Sequence, residues 1–130
     1  MNDTTISRAL LILRITLGVL VLLHGISKLR GGIGWLDGML ANEGLPAFFK
    51  YGVYVGEVLA PLAVIAGWYS RIGAWLIAVN MLFALGLAHG AELFSLTENG
   101  ALVLETQYMF FFCAIALALI GPGRHAVNQK

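Results

Sequence analysis

The chain has 130 residues, of which 59% are hydrophobic and only 12% are charged. Soluble domains carry roughly 25% charged residues, so a soluble globular domain is excluded as the leading interpretation. The formal net charge is +1 and no basic run occurs, which argues against nucleic acid as a partner. The length is typical of a single domain, here 1–130.

Four apolar stretches predict four transmembrane helices, at about residues 6–28, 50–69, 72–90 and 102–121, since a spanning helix needs about 20 mostly apolar residues. The predicted fold is an all-α integral membrane bundle. The first stretch is the least suited to lipid, because Arg14 interrupts it. It lacks a signal-peptide cleavage site, so we expect it to remain as the first helix. Pro61 predicts a kink in the second helix.

The connection between the first two helices contains an apolar stripe at helical spacing. Its members are Trp35, Leu36, Met39 and Leu40. This spacing predicts a short helix over residues 35–42 that lies along the outer membrane interface. We expect it to cover part of the polar cluster described below; an anchor with no gating role is the alternative.

Basic residues predict how the bundle is oriented. With four spans both chain ends lie on one side, where Arg8, Arg71, Arg124 and Lys130 are found. The first loop on the other side contains Lys28, Arg30 and Lys50. The excess of four over three favours cytoplasmic termini under the positive-inside rule.

Polar side chains inside the predicted helices are the candidate functional residues, because charge in a membrane is costly. At a rise of about 1.5 Å per residue, four of them lie about 5–9 Å below the outer helix ends: His24, Glu57, Glu105 and Tyr108. Lys28 lies at the end of the first helix, on the same face as His24. We predict that Glu57 pairs with a cation or histidine of the first helix. The cluster is either a set of ion pairs that specifies helix contacts or a pocket for a small ligand or a proton.

Three more intramembrane polar residues stand apart from this cluster. Arg14 falls in the inner half, and we expect it to extend toward the cytoplasm or to reach Asn80. His89 closes the third helix, opposite Asn80 on a helical wheel, which disfavours haem ligation by His24 and His89. No metal-binding motif occurs, so no metal site is predicted. The single cysteine, Cys113, excludes an internal disulfide and is typical of a packed thiol.

Short motifs run in order along nearly the whole chain, at residues 13–18, 24–29, 43–46, 56–57, 66–71, 81–89, 105–108 and 121–124. Together they resemble the DoxX family of small bacterial four-helix membrane proteins. The most specific is His-Gly-x-x-Lys-Leu, which begins at His24 and follows an arginine-bearing helix. The family often closes with Gly-Pro-Gly-x-x-Ser-x-Asp. This chain has Ala126 and Asn128 in place of the serine and the aspartate, and the sequence assigns its tail no role.

The resemblance implies four spanning helices in a bacterial inner membrane and an association with redox chemistry. Some relatives resemble the quinone-reducing membrane part of thiosulfate oxidation. Others are linked to complexes with superoxide dismutase and a sulfurtransferase that act in oxidative stress. For this chain it implies an oxidoreductase subunit of sulfur or thiol metabolism.

We expect the chain to lie in the lipid bilayer, and two classes of function therefore remain open for it. The first is a redox protein whose cofactor or substrate is a quinone and whose electrons come from a soluble partner protein, with a pocket formed by His24, Lys28, Glu57, Glu105 and Tyr108. The second is non-catalytic: a membrane scaffold for soluble redox partners, or a small transporter. The sequence leaves the oligomeric state open, a homo-oligomer included.

Overall fold

The computed structural model describes residues 3–31, 38, 41–42, 44–46, 48, 51–88, 94–102 and 104–130. Within these ranges the chain forms four helices: α1, Asp3–Gly31; α2, Tyr51–Ala66; α3, Ser70–Phe83 with a π-helical extension, Ala84–Ala88; and α4, Glu105–Ile120. The same ranges contain no β-strand, only an isolated bridge between Leu96 and Leu102. The all-α prediction is confirmed.

The helices pack in chain order. α2 lies between α1 and α3, α3 makes its most extensive contact with α4, and α1 also touches α4, which closes the bundle. α1 turns one face inward, formed by Ser7, Leu10, Arg14, Leu17, Gly18, Val21 and Gly25. Its glycines let α2 approach closely, since a Cβ on Gly18 would overlap Ile65. Small residues at helix contacts are typical of membrane bundles.

α2 changes geometry along its length. It is α-helical over Tyr51–Tyr54, π-helical over Val55–Leu59 and α-helical again over Ala60–Ala66. Pro61 accounts for this, because a proline donates no hydrogen bond to the carbonyl four residues earlier and its ring crowds that carbonyl. The carbonyl concerned is that of Glu57. The kink predicted at Pro61 therefore takes the form of a wider π turn directly before this proline.

The turn between α2 and α3 is earlier than the sequence predicts. α2 ends at Ala66, Gly67 adopts a left-handed conformation with φ of 72°, and α3 begins at Ser70. Tyr69 also has a positive φ, of 50°. A Cβ on Gly67 would overlap Arg14 Nη1 and Ala126, so glycine is required here by both backbone conformation and space.

The C-terminal segment, residues 121–130, covers the end of the bundle where both termini lie. The backbone N–H groups of Val127 and Asn128 donate to the carbonyls of Ala66 and Gly67 at 3.4 and 3.1 Å. The Arg124 N–H donates to Ser7 Oγ at 3.2 Å. The segment is thus hydrogen-bonded to α1 and to the α2–α3 turn, a role that the sequence did not assign to it.

Asn128 attaches the segment to the start of α3. Its Oδ1 accepts from the backbone N–H groups of Tyr69 and Lys130, both at 3.1 Å. We expect Asn128→Ala to lower the free energy of unfolding by about 1 kcal/mol, as the loss of a typical intramolecular hydrogen bond does. Thermal unfolding in detergent, followed by circular dichroism, measures this. Val127→Ala, at an exposed neighbouring position, is the control, and an equal loss in both variants would show that the Asn128 hydrogen bonds do not stabilise the segment.

By length and composition, α1 is the helix of the described ranges that could cross a membrane; the other apolar helical stretches, Tyr51–Ala66, Ser70–Gly86 and Glu105–Ile120, have 10–17 residues each. Its α-helix runs unbroken for 29 residues, and the Arg14 side chain is buried inside the bundle. The expectation that the first helix is the least suited to span is therefore wrong. At about 1.5 Å per residue, a 16-residue helix such as α4 is about 24 Å long, short of the roughly 30 Å hydrocarbon core.

The interfacial helix predicted over 35–42 lies mostly outside the described residues. Gly38, Ala41 and Asn42 are described and are helical. A turn follows them, in which the Gly44 N–H donates to the Ala41 carbonyl at 3.1 Å. The expected position of this helix over the polar cluster stays a prediction.

Candidate functional site

An ion pair joins α1 to α2 near the end of the bundle opposite the termini. Lys28 Nζ donates to Glu57 Oε2 at 2.5 Å. The predicted pairing of Glu57 with a cation of the first helix is confirmed, and the partner is Lys28 rather than His24. The two side chains differ in burial: Glu57 is 2% exposed and Lys28 is 25% exposed. The carboxylate is therefore inside the bundle, whereas the ammonium group reaches its edge.

The backbone around Glu57 explains why the pair forms here. Glu57 lies in the π turn that precedes Pro61, and Gly25 of α1 packs directly against the Glu57 carbonyl, where a Cβ would overlap the carbonyl oxygen and carbon. This close approach brings α1 and α2 together one turn before Lys28. Tyr54 adds a second link, since its hydroxyl donates to the Lys28 carbonyl at 3.5 Å. π turns of this kind are frequent at functional sites.

His24 lies one helical turn before Lys28 and is exposed. Its Nδ1 is 2.9 Å from the Leu20 carbonyl. A carbonyl only accepts, so Nδ1 is the protonated nitrogen and Nε2 is the one available to a ligand or a proton. The ring also meets Phe110 of α4 edge to face, with centroids 5.5 Å apart. His24 thus faces α4, while Lys28 faces α2.

These groups form a small polar site at the edge of the bundle, which we call the Lys28–Glu57 site. It combines a buried carboxylate, a part-exposed ammonium group and an exposed imidazole, next to the aromatic ring of Phe110. Such a site can donate hydrogen bonds to a neutral oxygen acceptor and can exchange a proton with it. An apolar ligand approaching from the side of the bundle would meet His24 and Lys28 first, because Glu57 lies behind them.

Other candidates of the described residues lie on α3 and α4. Glu105 is exposed at the first turn of α4, and Tyr108 is half-buried, two residues before Phe110. Asn80 is buried on α3 beside Gly56, where a glycine Cβ would meet its side chain. Asn80 therefore lies next to the π turn rather than near Arg14. His89 lies outside the described residues.

Arg14 points to the other end of the bundle. It is fully buried, and its Nη2 donates to the His125 carbonyl in the C-terminal segment at 2.5 Å. Of the two expected directions, the one toward the chain termini is correct and the one toward Asn80 is wrong. The reason is Gly67, whose missing side chain leaves room for the guanidinium group beside the α2–α3 turn.

Sequence reasoning missed three contributors to the site: Gly25, Tyr54 and Phe110. Gly25 stands between His24 and Lys28 in the sequence, and a glycine at that place on a helix indicates a close backbone approach. Tyr54 and Phe110 carried no such signal, because both lie among other aromatic and apolar residues. Among the described residues, no three His, Cys, Asp or Glu side chains are grouped so that they could hold a metal ion.

Comparison with known proteins identifies the family. The family model DoxX matches residues 9–90, which contain most of α1, all of α2 and α3, and the Lys28–Glu57 pair. The chain is also 31% identical over 111 residues to a Bacillus subtilis (strain 168) protein named "Putative oxidoreductase CatD", an alignment that covers 85% of this chain and 78% of that protein. No solved structure matches the chain. From the family model and this relative together, the chain belongs to the DoxX family.

Proposed function

We propose that this chain is a multi-pass protein of the bacterial inner membrane, with its four helices in the bilayer and its termini in the cytoplasm. The outward faces of the helices support this, because large apolar side chains are exposed on all four; examples are Ile12, Leu23, Leu62, Leu82 and Phe112. Water would make such a surface an aggregation hazard, whereas lipid tails solvate it. The basic residues at the termini end support the orientation.

Within that membrane, the function that the geometry supports best is redox chemistry through a quinone bound at the Lys28–Glu57 site. The observation that carries this proposal is the buried Glu57 carboxylate paired to a part-exposed Lys28, with exposed His24 one turn away. A quinone is an apolar ring with two carbonyl oxygens. It needs hydrogen-bond donors at the edge of a bundle and an aromatic neighbour, which here is Phe110.

Each side chain then has a defined role. The Lys28 ammonium group donates a hydrogen bond to a carbonyl oxygen of the ring, and His24 Nε2 donates a second one once it has taken up a proton. Reduction of a quinone takes up two electrons and two protons, and His24 is the exposed group that can exchange protons with the surroundings. Glu57 holds the Lys28 ammonium group in position. The electrons come from a soluble redox partner with a donor of the sulfur or thiol class, in keeping with the oxidoreductase name of the Bacillus relative.

The second candidate function is a non-catalytic scaffold for soluble redox partners, or a small transporter. One observation favours it: Lys28 and Glu57 satisfy each other, so the pair needs no ligand to account for it. A scaffold would not require an accessible imidazole, however, and a transporter would require polar groups that continue from this site to Arg14. Binding of a quinone to the purified protein would distinguish the redox function from the scaffold and the transporter.

The proposal is tested with protein purified in a non-ionic detergent. Its organic extract is analysed for quinones by mass spectrometry, and decylubiquinone is titrated while tryptophan fluorescence is recorded. We expect saturable quenching in the wild type and about tenfold weaker binding in His24→Ala, the loss expected for one hydrogen bond to a charged group. Ser27→Ala, at an exposed polar position on the same helix, is the control and should bind like the wild type. Absence of saturable binding to the wild type would favour the scaffold or transporter.

A further inference from the structure

Arg14 is a buried cation whose hydrogen-bonding capacity is mostly unused. Its side chain has an exposed fraction of 0%. Of its nitrogen atoms, Nη2 donates to the His125 carbonyl, while Nε and Nη1 have no hydrogen-bond partner in the described part of the chain. A guanidinium group stays charged and carries five donor hydrogens. Leaving a charged donor buried without partners is costly.

No side-chain carboxylate among the described residues forms an ion pair with Arg14. Glu57 is paired with Lys28 at the opposite end of the bundle, and Glu98 and Glu105 lie before or at the start of α4, at that same end. Asp3 is exposed, and it lies 11 residues before Arg14 on α1, about 16 Å along the helix.

The surroundings of Arg14 are themselves basic. Arg8, Arg71, Arg124 and Lys130 all lie at the termini end of the bundle. The Arg71 guanidinium is engaged with the carbonyls that end α4, including that of Leu119 at 2.9 Å. Arg124 donates to Thr4 Oγ1 at 3.3 Å. The field at this end is therefore positive and attracts anions.

Ser70 supplies a second, independent observation. Its side chain is fully buried, and its hydroxyl has no hydrogen-bond partner in the described ranges. Ser70 is the first residue of α3 and follows Gly67 by three residues. Because Arg14 Nη1 packs against Gly67, both groups without partners belong to the same turn. A guanidinium accepts no hydrogen bond, so contact with Arg14 alone would leave the Ser70 hydroxyl hydrogen without an acceptor.

We propose that Arg14 and Ser70 bind one small inorganic anion, a halide or an oxyanion, beneath the C-terminal segment. The anion accepts hydrogen bonds from the guanidinium and the Ser70 hydroxyl and neutralises the buried charge. The hydrogen bonds of Val127 and Asn128 to the α2–α3 turn hold the segment closed over it. The complete burial of Arg14 restricts the ligand to a free ion, because a lipid headgroup remains attached to its acyl chains outside the bundle.

Thermal unfolding in a non-ionic detergent tests this site. Sodium chloride and sodium phosphate are each titrated against sodium gluconate at equal ionic strength, and dioleoylphosphatidylglycerol is added in a separate series. We expect the midpoint to rise saturably with chloride or phosphate. Gluconate is too large for the buried position and should give no such rise.

Two variants locate the effect. Ser70→Ala should weaken the apparent anion affinity about tenfold, as the loss of one hydrogen bond to a charged group does, whereas Ser27→Ala at an exposed serine should leave it unchanged. Arg14→Lys should weaken the apparent anion affinity further. If Arg14→Lys does not fold, Ser70→Ala still tests the site. Equal midpoints in all salts, an effect of the lipid alone, or an unchanged affinity in Ser70→Ala would each overturn the proposal.

Discussion

Lys28→Met is expected to destabilise the protein by about 3–5 kcal/mol, the cost of leaving a buried charge without its partner, and Glu57→Gln by less. The difference follows from the unequal burial of the pair. Without Lys28, the Glu57 carboxylate remains 2% exposed with its ion-pair partner removed. The Lys28 side chain is already 25% exposed. When the carboxylate is removed, this flexible side chain can move its ammonium group into water.

The double variant Lys28→Met/Glu57→Gln completes the comparison. Removal of both charges is expected to recover much of the loss, because replacing a buried ion pair by uncharged groups of similar volume is often close to neutral. Free energies of unfolding are measured in detergent for all three variants. Arg30→Met, at an exposed cation on the same helix, is the control and should change the free energy by less than about 0.5 kcal/mol. Equal losses in Lys28→Met and Glu57→Gln would contradict the burial that this argument uses.

Gly25→Ala is the second substitution with a large expected effect. The added Cβ would overlap the carbonyl oxygen and carbon of Glu57 and would lie 2.9 Å from Val58 Cγ2. Side chains can rotate away from such a contact, but the backbone of α2 can move only as a unit. We expect a loss of about 3 kcal/mol, at the upper end of the cost of overpacking. Moving α1 from α2 would also stretch the bond between Lys28 and Glu57.

Gly52→Ala is the matched control, since a Cβ at this position on α2 would meet nothing within 4 Å. Alanine favours a helix over glycine by about 0.5–1 kcal/mol, so this variant should be neutral or slightly more stable. Unfolding measured by circular dichroism compares the two, and decylubiquinone titration reports on the site. A Gly25→Ala protein as stable as Gly52→Ala would show that the α1–α2 contact is looser than the structure has it.

The pairing at the site was predictable only in part. Residue counts from the helix ends put Glu57 at the same depth as the polar residues near the C-terminal end of α1. Because α1 and α2 are antiparallel neighbours, a contact between Glu57 and one of these residues was expected. The choice of Lys28 over His24 was not predictable. It depends on the rotation of α1 about its axis, which Gly25 determines by packing against the Glu57 carbonyl. A helical wheel gives relative angles within one helix but not the angle that the helix presents to its neighbour.

The sequence by itself determined that this protein is helical, where its helices lie to within a few residues, and which polar side chains are costly to bury. These are local properties, because they follow from runs of apolar residues and from helical spacing. Only the tertiary structure decided the π turn at Glu57, the direction of Arg14 and the attachment of residues 121–130 across the termini end. The direction of Arg14 and the attachment of residues 121–130 depend on contacts between residues far apart in the chain, whereas the π turn is the form taken by the kink that Pro61 predicts. Arg14 meets a carbonyl 111 positions away, and such a contact exists only after the helices have packed.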